Sequence, residues 1–473
     1  MHMTSNILLF ICYSIAVAII TNLIKKQKNK RLIIAISSTA FYLLCDWKYF
    51  VVLLIATIWS YYVGRTILST NSTPKHSQKR LILGILPILI LLIFFKWFKF
   101  IPNIALWNSF NKLILPLGLS YYSFKIISYL VDIYKRKTKP TDNFLDYYNY
   151  IAFFPQILCG PIARVEELGT QLKNLKTPRP DQVEYGIYLI LSGLFKKIVI
   201  ADRVVSYVNT IFDAPNSYPS IALWTAAFLY TIEIYCDFAG YSEIVVGICN
   251  LMGIYCSNNF NRPYFSYSIA DFWHKWHISL SNWLRDYVYI PLGGNRNGYA
   301  RKTINILITF LISGLWHGEG LTFIIWGLWH GILNIIPIKE AKNIYARIIQ
   351  SLSTFICVML GWIMFNASSV GTGFEYIKLM FVNFRIDTNS IVAAILPFTN
   401  DYSCLAYIIV IIELIMVLAI FELIDAHNSK KYGCNKFSKD TCPDIPYIRI
   451  IILLCCIILL GTWGQNSFIY ANF

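Results

Sequence analysis

The sequence predicts an all-α protein that crosses a membrane many times, and two observations lead to that fold class. First, 56% of the 473 residues are hydrophobic and only 14% are charged, a balance too apolar for an ordinary soluble domain. Second, apolar runs of about 20 residues recur along the chain, and that length matches the hydrocarbon core of a bilayer. The alternating segments of a membrane β-barrel do not occur in the sequence. We expect about 11 to 13 membrane helices.

The first helix and the charges that follow it predict the topology. The apolar run Asn6–Leu23 precedes the basic run Lys25–Arg31, whereas a signal peptide carries its positive charge before the apolar run. Lys and Arg also fall in later links between apolar runs, as in Lys135–Lys139, and such links face the cytoplasm. The net charge of +16 is therefore a topology signal. We expect the N-terminus outside, the lipid bilayer as a partner, and no nucleic-acid partner.

The other helices are predicted from apolar runs between polar links. Leu32–Cys45 and Tyr49–Leu68 form a pair that is joined by a turn at Asp46–Lys48. Pro155 and Gly160 prevent a regular helix in Phe153–Arg164, which favours a re-entrant or interfacial segment. Further helices are expected at Leu81–Phe98, Leu113–Tyr134, Tyr185–Ile200, Ile221–Tyr235, Ser351–Phe365, Cys404–Ile424 and Ile450–Leu460.

Histidines are concentrated in the central part of the chain. Of the seven histidines, four lie between residues 271 and 331, namely His274, His277, His317 and His330. Ionisable side chains at membrane depth are costly and mark cavities or reaction paths. The pair His274 and His277 has no cysteine nearby, so we expect no metal site. The motifs of phosphate loops, zinc proteases and serine hydrolases are absent from the sequence. Histidine acting as an acid or a base remains.

Two histidines share one pentapeptide, because GLWHG occurs around His317 and again around His330. The residues alone leave two interpretations open for His317: a base for an attacking hydroxyl group, or a buried partner of a neighbouring helix. Thirteen residues apart, the two histidines would point in roughly opposite directions on one unbroken helix. We expect Gly318 and Gly320 to interrupt that helix, and glycines here also allow close approach of another backbone.

Two acids stand among apolar residues in the segment 236–253, Asp237 and Glu243. They are either acids at the ends of helices or part of the wall of a polar cavity. The residues alone do not decide between these interpretations.

An ordered series of motifs resembles the membrane-bound O-acyltransferase (MBOAT) family, in its bacterial branch of alginate and peptidoglycan O-acetyltransferases. The similarity is strong over residues 115–335. The motifs are FFPQILCGPIAR, GLFKKIVIADR, YCDFAGYSEIVVG, NFNRPYFSYSIADFWHKWHISLSNWLRDYVYIPLGGNR, SGLWHG and the terminal FIYANF. The resemblance implies one integral-membrane domain over residues 1–473, in which N-terminal helices (1–110) and C-terminal helices (336–473) flank a catalytic core (111–335). It also implies re-entrant segments and a central catalytic tunnel.

The resemblance further implies roles for single residues. His317 takes the position of the catalytic histidine, as general base or acyl relay, and His277 takes the second histidine position of the bacterial branch. His274 stands where relatives often carry arginine, and His330 looks structural. Arg285 forms an ion pair with Asp286 or binds donor phosphates together with Arg296 and Arg301. The expected residues of the tunnel are Trp316, Trp276, His274, Ser279, Asp237, Arg285 and Asp286.

The function implied is transfer of an acetyl group from a cytoplasmic thioester, acetyl-CoA or another acyl thioester, across the bacterial cytoplasmic (inner) membrane. No bound cofactor is expected. The acceptor is an exported polysaccharide or peptidoglycan, reached through a secreted or membrane-tethered partner. The motif PLGGNR favours this over D-alanyl transfer from a carrier protein toward teichoic acid. A proton-coupled transporter and a non-catalytic scaffold are the remaining alternatives.

Overall fold

Helices make up all the regular structure in the residues that the computed structural model describes. Those residues are 6–68, 73–97, 115–382, 384, 387–395, 397, 404–431, 442–443 and 445–463. The terminal FIYANF lies outside them, as do Phe98 and Leu113 at the ends of two predicted helices. The described residues fall into two compact units, one of residues up to Ile190 with Ser242–Asn258, and one of Leu191–Tyr241 with residues from Asn259 onward. The single integral-membrane domain, with its parts divided at residues 110 and 335, stays a prediction.

The first unit begins with the pair of helices that the sequence predicts. Helix α2 ends at Asp46, a single 3-10 turn follows at Trp47–Tyr49, and helix α3 begins at Phe50, which confirms the turn. Helix α4 begins at Pro74, about two turns earlier than expected, because a proline suits the first turn of a helix. The bounds are α1 Ile7–Leu23, α2 Gln27–Asp46, α3 Phe50–Ile67 and α4 Pro74–Trp97.

The rest of the first unit contains the segment that was expected to be irregular. Only Phe154–Ile157 is helical there, and residues 158–164 form bends and extended chain, so the absence of a regular helix in Phe153–Arg164 is confirmed. Its depth in a membrane stays a prediction. The helices are α5 Leu119–Tyr134, α6 Phe144–Ala152, α7 Phe154–Ile157, α8 Thr170–Lys173 and α9 Pro180–Leu194, the last of which ends in the second unit.

Helix α11 is much longer than expected. It runs over Ser220–Leu251, 32 residues, whereas the sequence predicts a helix that ends at Tyr235. Gly240 inside this helix lies at a position with no space for a side chain, because a Cβ atom there would lie 2.7 Å from the carbonyl oxygen of Gly193. Asp237 and Glu243 therefore lie in the interior of a helix, and the interpretation as acids at helix ends is wrong.

The second unit contains two short helices, a basic turn and a helical hairpin. The turn at residues 290–297 has Gly293 and Gly294 at positive φ, which glycine adopts without strain. The remaining helices are α10 Asp202–Asp213, α12 Ile269–Lys275, α13 Ile278–Leu284, α14 Gly298–His317, α15 Leu321–Ile335, α16 Ile344–Asn366, α17 Val370–Phe381, α18 Thr388–Ile395, α19 Cys404–Lys431 and α20 Tyr447–Leu460.

Several described helices have the length and apolar character of membrane spans. The structure has four such helical stretches within the described residues: Gln27–Ile67, Pro74–Trp97, Ser220–Leu251 and Ile344–Asn366. In Pro74–Trp97 only 17% of the most apolar window is buried inside the protein, so its leucines and isoleucines need lipid as their surroundings. The protein is an all-α, multi-pass membrane protein. A total of about 11 to 13 membrane helices stays a prediction.

Candidate active site

His317 is the last residue of helix α14, and it is 2% exposed. The backbone is extended at Gly318 and Gly320, and helix α15 begins at Leu321, so the predicted interruption is confirmed. A Cβ atom on Gly318 would collide with the ring of Phe323. Glycine at this position therefore lets the chain reverse tightly just after the histidine.

The two helices of the hairpin cross at equivalent glycines. A Cβ atom on Gly314 would collide with the carbonyl oxygen of Phe323, and one on Gly327 would lie 2.5 Å from the carbonyl oxygen of Phe310. Each phenylalanine lies four residues before the glycine of its own helix, so the repeated unit is the nonapeptide F-x-x-x-G-L-W-H-G. The repeat packs against itself, which brings the two helices that carry His317 and His330 together.

Aromatic rings surround His317. Its ring centroid lies 4.7 Å from that of Trp316, 4.9 Å from that of Trp326 and 5.6 Å from that of Phe365. Trp326 also lies 5.2 Å from His330, so one indole ring contacts both histidines of the repeat. These contacts give the histidine an apolar environment in which charge is weakly solvated.

His277 lies between helices α12 and α13, and its φ of 43° is uncommon for a residue other than glycine. Its ring lies 4.7 Å from that of Phe238 and 6.3 Å from that of Trp316. Trp316 thus lies close to both His277 and His317. The link that holds His277 is not one of the long apolar helices, and burial lowers the pKa of its imidazole to about 3.

Asn259 is the polar partner of His277. The Oδ1 atom of Asn259 lies 3.2 Å from Nδ1 of His277, 3.1 Å from the backbone nitrogen of Ser279 and 2.9 Å from Oγ of Ser279. The side chain of Ser279, predicted to line the tunnel, is therefore bonded to Asn259. All three residues are buried.

His330 lies inside helix α15 and is fully buried. Its Nδ1 accepts a hydrogen bond from Nε1 of Trp273, at 3.3 Å. A Cβ atom on Gly361 would lie 2.8 Å from Nε2 of His330. The histidine therefore fills a fitted space between two neighbouring helices, which agrees with the structural role that the resemblance implies and does not test it.

Trp276 and His274 lie on different sides of their short segment. Trp276 is 1% exposed and packs against Trp362 at 5.0 Å, whereas His274 is exposed. Helix α12 ends at Lys275, so His274 and His277 do not share a helix face. Among the described residues, no three His, Cys, Asp or Glu side chains are placed to hold a metal ion.

The expected donor-phosphate residues lie far from His317. Arg296 and Arg301 are exposed at the beginning of α14, and His317 is its last residue. At about 1.5 Å per residue, Arg301 lies about 24 Å from His317 along the helix axis. Arg285 and Asp286 form an exposed ion pair of 2.9 Å with each other, as one of the two interpretations expected.

Asp237 belongs to a buried cluster of charges. Nζ of Lys197 lies 2.6 Å from Asp237 and 2.9 Å from Asp202, and all three side chains are at most 7% exposed. Phe238, the next residue along α11, contacts His277. One helix therefore carries both Asp237 of the charge cluster and the aromatic neighbour of His277. The ammonium group of Lys197 pairs with both carboxylates, which offsets part of the cost of burying these charges.

Three residues near the histidines carry no expected role from the sequence, namely Asn259, Trp326 and Phe365. Asn259 stands within the motif NFNRPYF, which is a signal of similarity without a chemical reason attached. Trp326 and Phe365 lie in apolar helices, where an aromatic residue is ordinarily packing. Only the tertiary structure shows that their rings enclose His317.

Comparisons with known proteins show which family the chain matches and which proteins it is similar to. The family model of the membrane-bound O-acyltransferase family matches residues 31–348. A probable alginate O-acetylase, AlgI, from Pseudomonas aeruginosa is 34% identical over 395 residues, which covers 80% of this chain and 75% of that protein. A peptidoglycan O-acetyltransferase from Helicobacter pylori is 34% identical over 389 residues, covering 74% and 73%. A teichoic acid D-alanyltransferase from Bacillus subtilis is 32% identical over 219 residues, covering 44% and 55%.

Proposed function

Because the chain belongs to the membrane-bound O-acyltransferase family, we propose that it moves an acetyl group from cytoplasmic acetyl-CoA to an exported polymer. The acceptor is a hydroxyl group of a polysaccharide or of peptidoglycan, reached through a secreted or membrane-tethered partner. The membrane is the bacterial cytoplasmic membrane, with the N-terminus outside. That the chain is an O-acyltransferase follows from the family and from the O-acetyltransferases among its relatives. The donor, the acceptor and the partner are the proposal.

The observation that carries the proposal is the placement of His277 and His317 near one indole ring, that of Trp316. Both imidazoles are buried, and the described rings around His317 are aromatic. Such surroundings exclude water, which would otherwise hydrolyse an acyl thioester. A neutral imidazole in them is suited to take a proton from a hydroxyl group.

The reaction forms one ester and releases one thiol. The acceptor oxygen bonds to the acyl carbon, the carbon–sulfur bond breaks, and the hydroxyl proton passes through an imidazole to the departing thiolate. His317 is either the general base in this step or the nucleophile that first receives the acyl group. In the second case a nitrogen of His317 bonds to the acyl carbon as the thiolate leaves. The acceptor hydroxyl group later attacks the same carbon and displaces that nitrogen.

Acetyl transfer is favoured over D-alanyl transfer for two reasons. The O-acetyltransferase relatives align with about three quarters of this chain or more, whereas the D-alanyltransferase from Bacillus subtilis aligns with 44%. The described rings closest to His317 are also uncharged, which suits a neutral acetyl group. A proton-coupled transporter is set aside as the main function, because the family consists of acyltransferases.

The decisive experiment measures acetyl release from radiolabelled acetyl-CoA by the purified full-length protein, with a soluble hydroxyl acceptor. Wild type is compared with His317→Ala and His277→Ala, and the exposed His76→Ala serves as a matched control. We expect turnover in wild type and in the control and its loss in both site variants. Full activity of His317→Ala would remove His317 from the reaction. If turnover occurs only with a D-alanyl carrier protein, that carrier protein and not acetyl-CoA is the donor.

A further inference from the structure

We propose that Asn259 is a positioning residue that holds His277 in the Nδ1–H tautomer and leaves Nε2 as a proton acceptor. The inference rests on the proposed function for its consequence, but the tautomer itself does not depend on it. No role follows for Asn259 from its motif, so the assignment comes from geometry alone.

The hydrogen bonds around one oxygen fix the tautomer. A backbone N–H group only donates, so the Asn259 atom 3.1 Å from the backbone nitrogen of Ser279 must be the carbonyl oxygen of the amide. The same oxygen lies 3.2 Å from Nδ1 of His277. Because an amide oxygen only accepts, Nδ1 must carry the proton in this bond. The identity of the amide atoms therefore rests on the backbone of Ser279 and not on a choice of flip.

A neutral imidazole has one N–H group, so Nε2 of His277 keeps a lone pair. Nε2 has no hydrogen-bond partner within the described part of the chain, and the side chain is 0% exposed. A buried acceptor without a partner is costly, and a catalytic role is one of the reasons for which native proteins keep such an atom. The position of Nε2 thus indicates a donor on the substrate.

Backbone hydrogen bonds near His277 hold His277 and Asn259 in place. The amide of Ile278 donates to the carbonyl oxygen of Asn259, and the amide of Asn261 donates to that of Lys275, each at 2.9 Å. These bonds join the two segments on both sides of His277, which adopts its uncommon positive φ between them. Uncommon backbone conformations held by surrounding bonds are concentrated at functional sites.

His330, in the same unit, has the opposite tautomer. Trp273 donates its indole N–H to Nδ1 of His330, so a neutral His330 carries its proton on Nε2. The protein therefore holds two buried histidines in opposite tautomers. Of these two histidines, His277 is the one that presents an unprotonated Nε2.

In the proposed reaction, the group with a proton to give is the acceptor hydroxyl. Its O–H bond breaks as its oxygen bonds to the acyl carbon, and an N–H bond forms at Nε2 of His277. The proton then passes to the group that leaves the acyl carbon, and His277 is neutral again. In direct transfer that group is the thiolate of the donor; where a nitrogen of His317 carries the acyl group, the thiol has left in an earlier step and the proton passes to that nitrogen as its bond to the acyl carbon breaks. With this base at His277, His317 is free to hold the acyl group. In the wrong tautomer Nε2 would carry a proton already and could not accept this one.

The first test is spectroscopic and needs no activity. Full-length protein with ¹³C- and ¹⁵N-labelled histidine is reconstituted in lipid nanodiscs, and the ring signals of His277 are identified by their absence in His277→Gln. We expect the Nδ1–H tautomer in wild type and in Asn259→Asp, which keeps an acceptor oxygen. We expect the Nε2–H tautomer in Asn259→Leu. An Nε2–H signal for His277 in wild type would overturn the proposal without any variant.

The second test measures acetyl transfer. We expect Asn259→Leu to lower kcat about 10- to 100-fold with little change in KM, because orienting partners carry effects of this size. Asn259→Asp should recover most of the loss. The matched control is Asn250→Leu, another buried asparagine, whose amide bonds to its own helix at the carbonyl oxygen of Val246. Normal kcat in a folded Asn259→Leu would overturn the positioning role. Absent turnover in wild type would count against the proposed function, and the spectrum would still decide the tautomer.

Discussion

The two copies of the nonapeptide F-x-x-x-G-L-W-H-G have the same key residues and different surroundings. In the first copy His317 ends a helix, and the chain after it is extended. In the second copy His330 lies inside a helix, and Trp273 and Gly361 occupy the space near its two nitrogens. The same motif therefore places its histidine in two different environments, one at the end of a helix and one inside a helix.

The copies do share one task, which is to pack the hairpin. Gly314 and Gly327 each lie against the backbone of the opposite helix, and Trp326 contacts the histidines of both copies. We interpret the repeat as a packing device whose first histidine took on chemistry. Substitutions that separate packing from chemistry test this comparison.

The largest expected effect comes from removing His317. His317→Ala should lower acetyl transfer by about 100-fold or more, since a positioned acid or base contributes about 100- to 10,000-fold. His330→Phe keeps the ring volume at the second copy and should retain at least about a tenth of wild-type kcat. Turnover is measured for both in the same assay. Equal losses in the two variants would show that both histidines act in the reaction.

The second expected effect is on stability and tests the shared packing. Gly314→Ala and Gly327→Ala place a Cβ atom against a backbone carbonyl oxygen that cannot move aside. Each should destabilise the protein by about 1–3 kcal/mol through overpacking. The control is Gly371→Ala in helix α17, where the nearest atom to the new Cβ would be 3.8 Å away. Thermal unfolding in detergent compares the three. A midpoint for Gly327→Ala equal to that of Gly371→Ala would contradict the close crossing.

A third effect, of similar size, concerns the hydrogen bond of the second copy. His330→Phe leaves Nε1 of Trp273 without its acceptor, and a buried donor without a partner costs about 1–3 kcal/mol. We expect a lower thermal midpoint in His330→Phe, while its kcat stays within the range given above. His330→Gln, whose side-chain oxygen accepts a hydrogen bond, should recover part of the midpoint. If the midpoint of His330→Gln is as low as that of His330→Phe, the lost stability comes from packing and not from the hydrogen bond.

The sequence predicts the breaks between helices better than the contacts across them. The turn after Asp46 and the interruption at Gly318 were predictable, because a polar cluster and paired glycines act locally. The early start of α4 at Pro74 was missed, since polar residues in its first turns look like a loop. The contact of Asn259 with His277 spans 18 residues and depends on how two loops meet, so no local pattern predicts it.

The same limit applies to the rings around His317. Trp326 and Phe365 come from two different helices, and only the contact of Trp326 with His317 follows from the crossing at Gly314 and Gly327. Resemblance identified His317 and His277 because their motifs are local. It did not identify the residues that only the packing of the second unit brings to them.

The smallest expected effect comes from the basic turn before the first copy. Phosphates of acetyl-CoA bound at Arg296 and Arg301 would lie at the far end of α14 from His317, and Arg301 is about 24 Å away along its axis. About 13 bonds join the nearer phosphorus of the donor to its sulfur, a reach of about 15 Å in extended form. An arginine side chain that extends toward the site reduces the difference between these two distances. We therefore expect the double variant Arg296→Ala with Arg301→Ala to change KM for acetyl-CoA less than about threefold. Steady-state kinetics at low ionic strength, where charge contacts are strongest, measures this. A tenfold rise in KM would show that these arginines bind the donor, and it would contradict this comparison of the two distances.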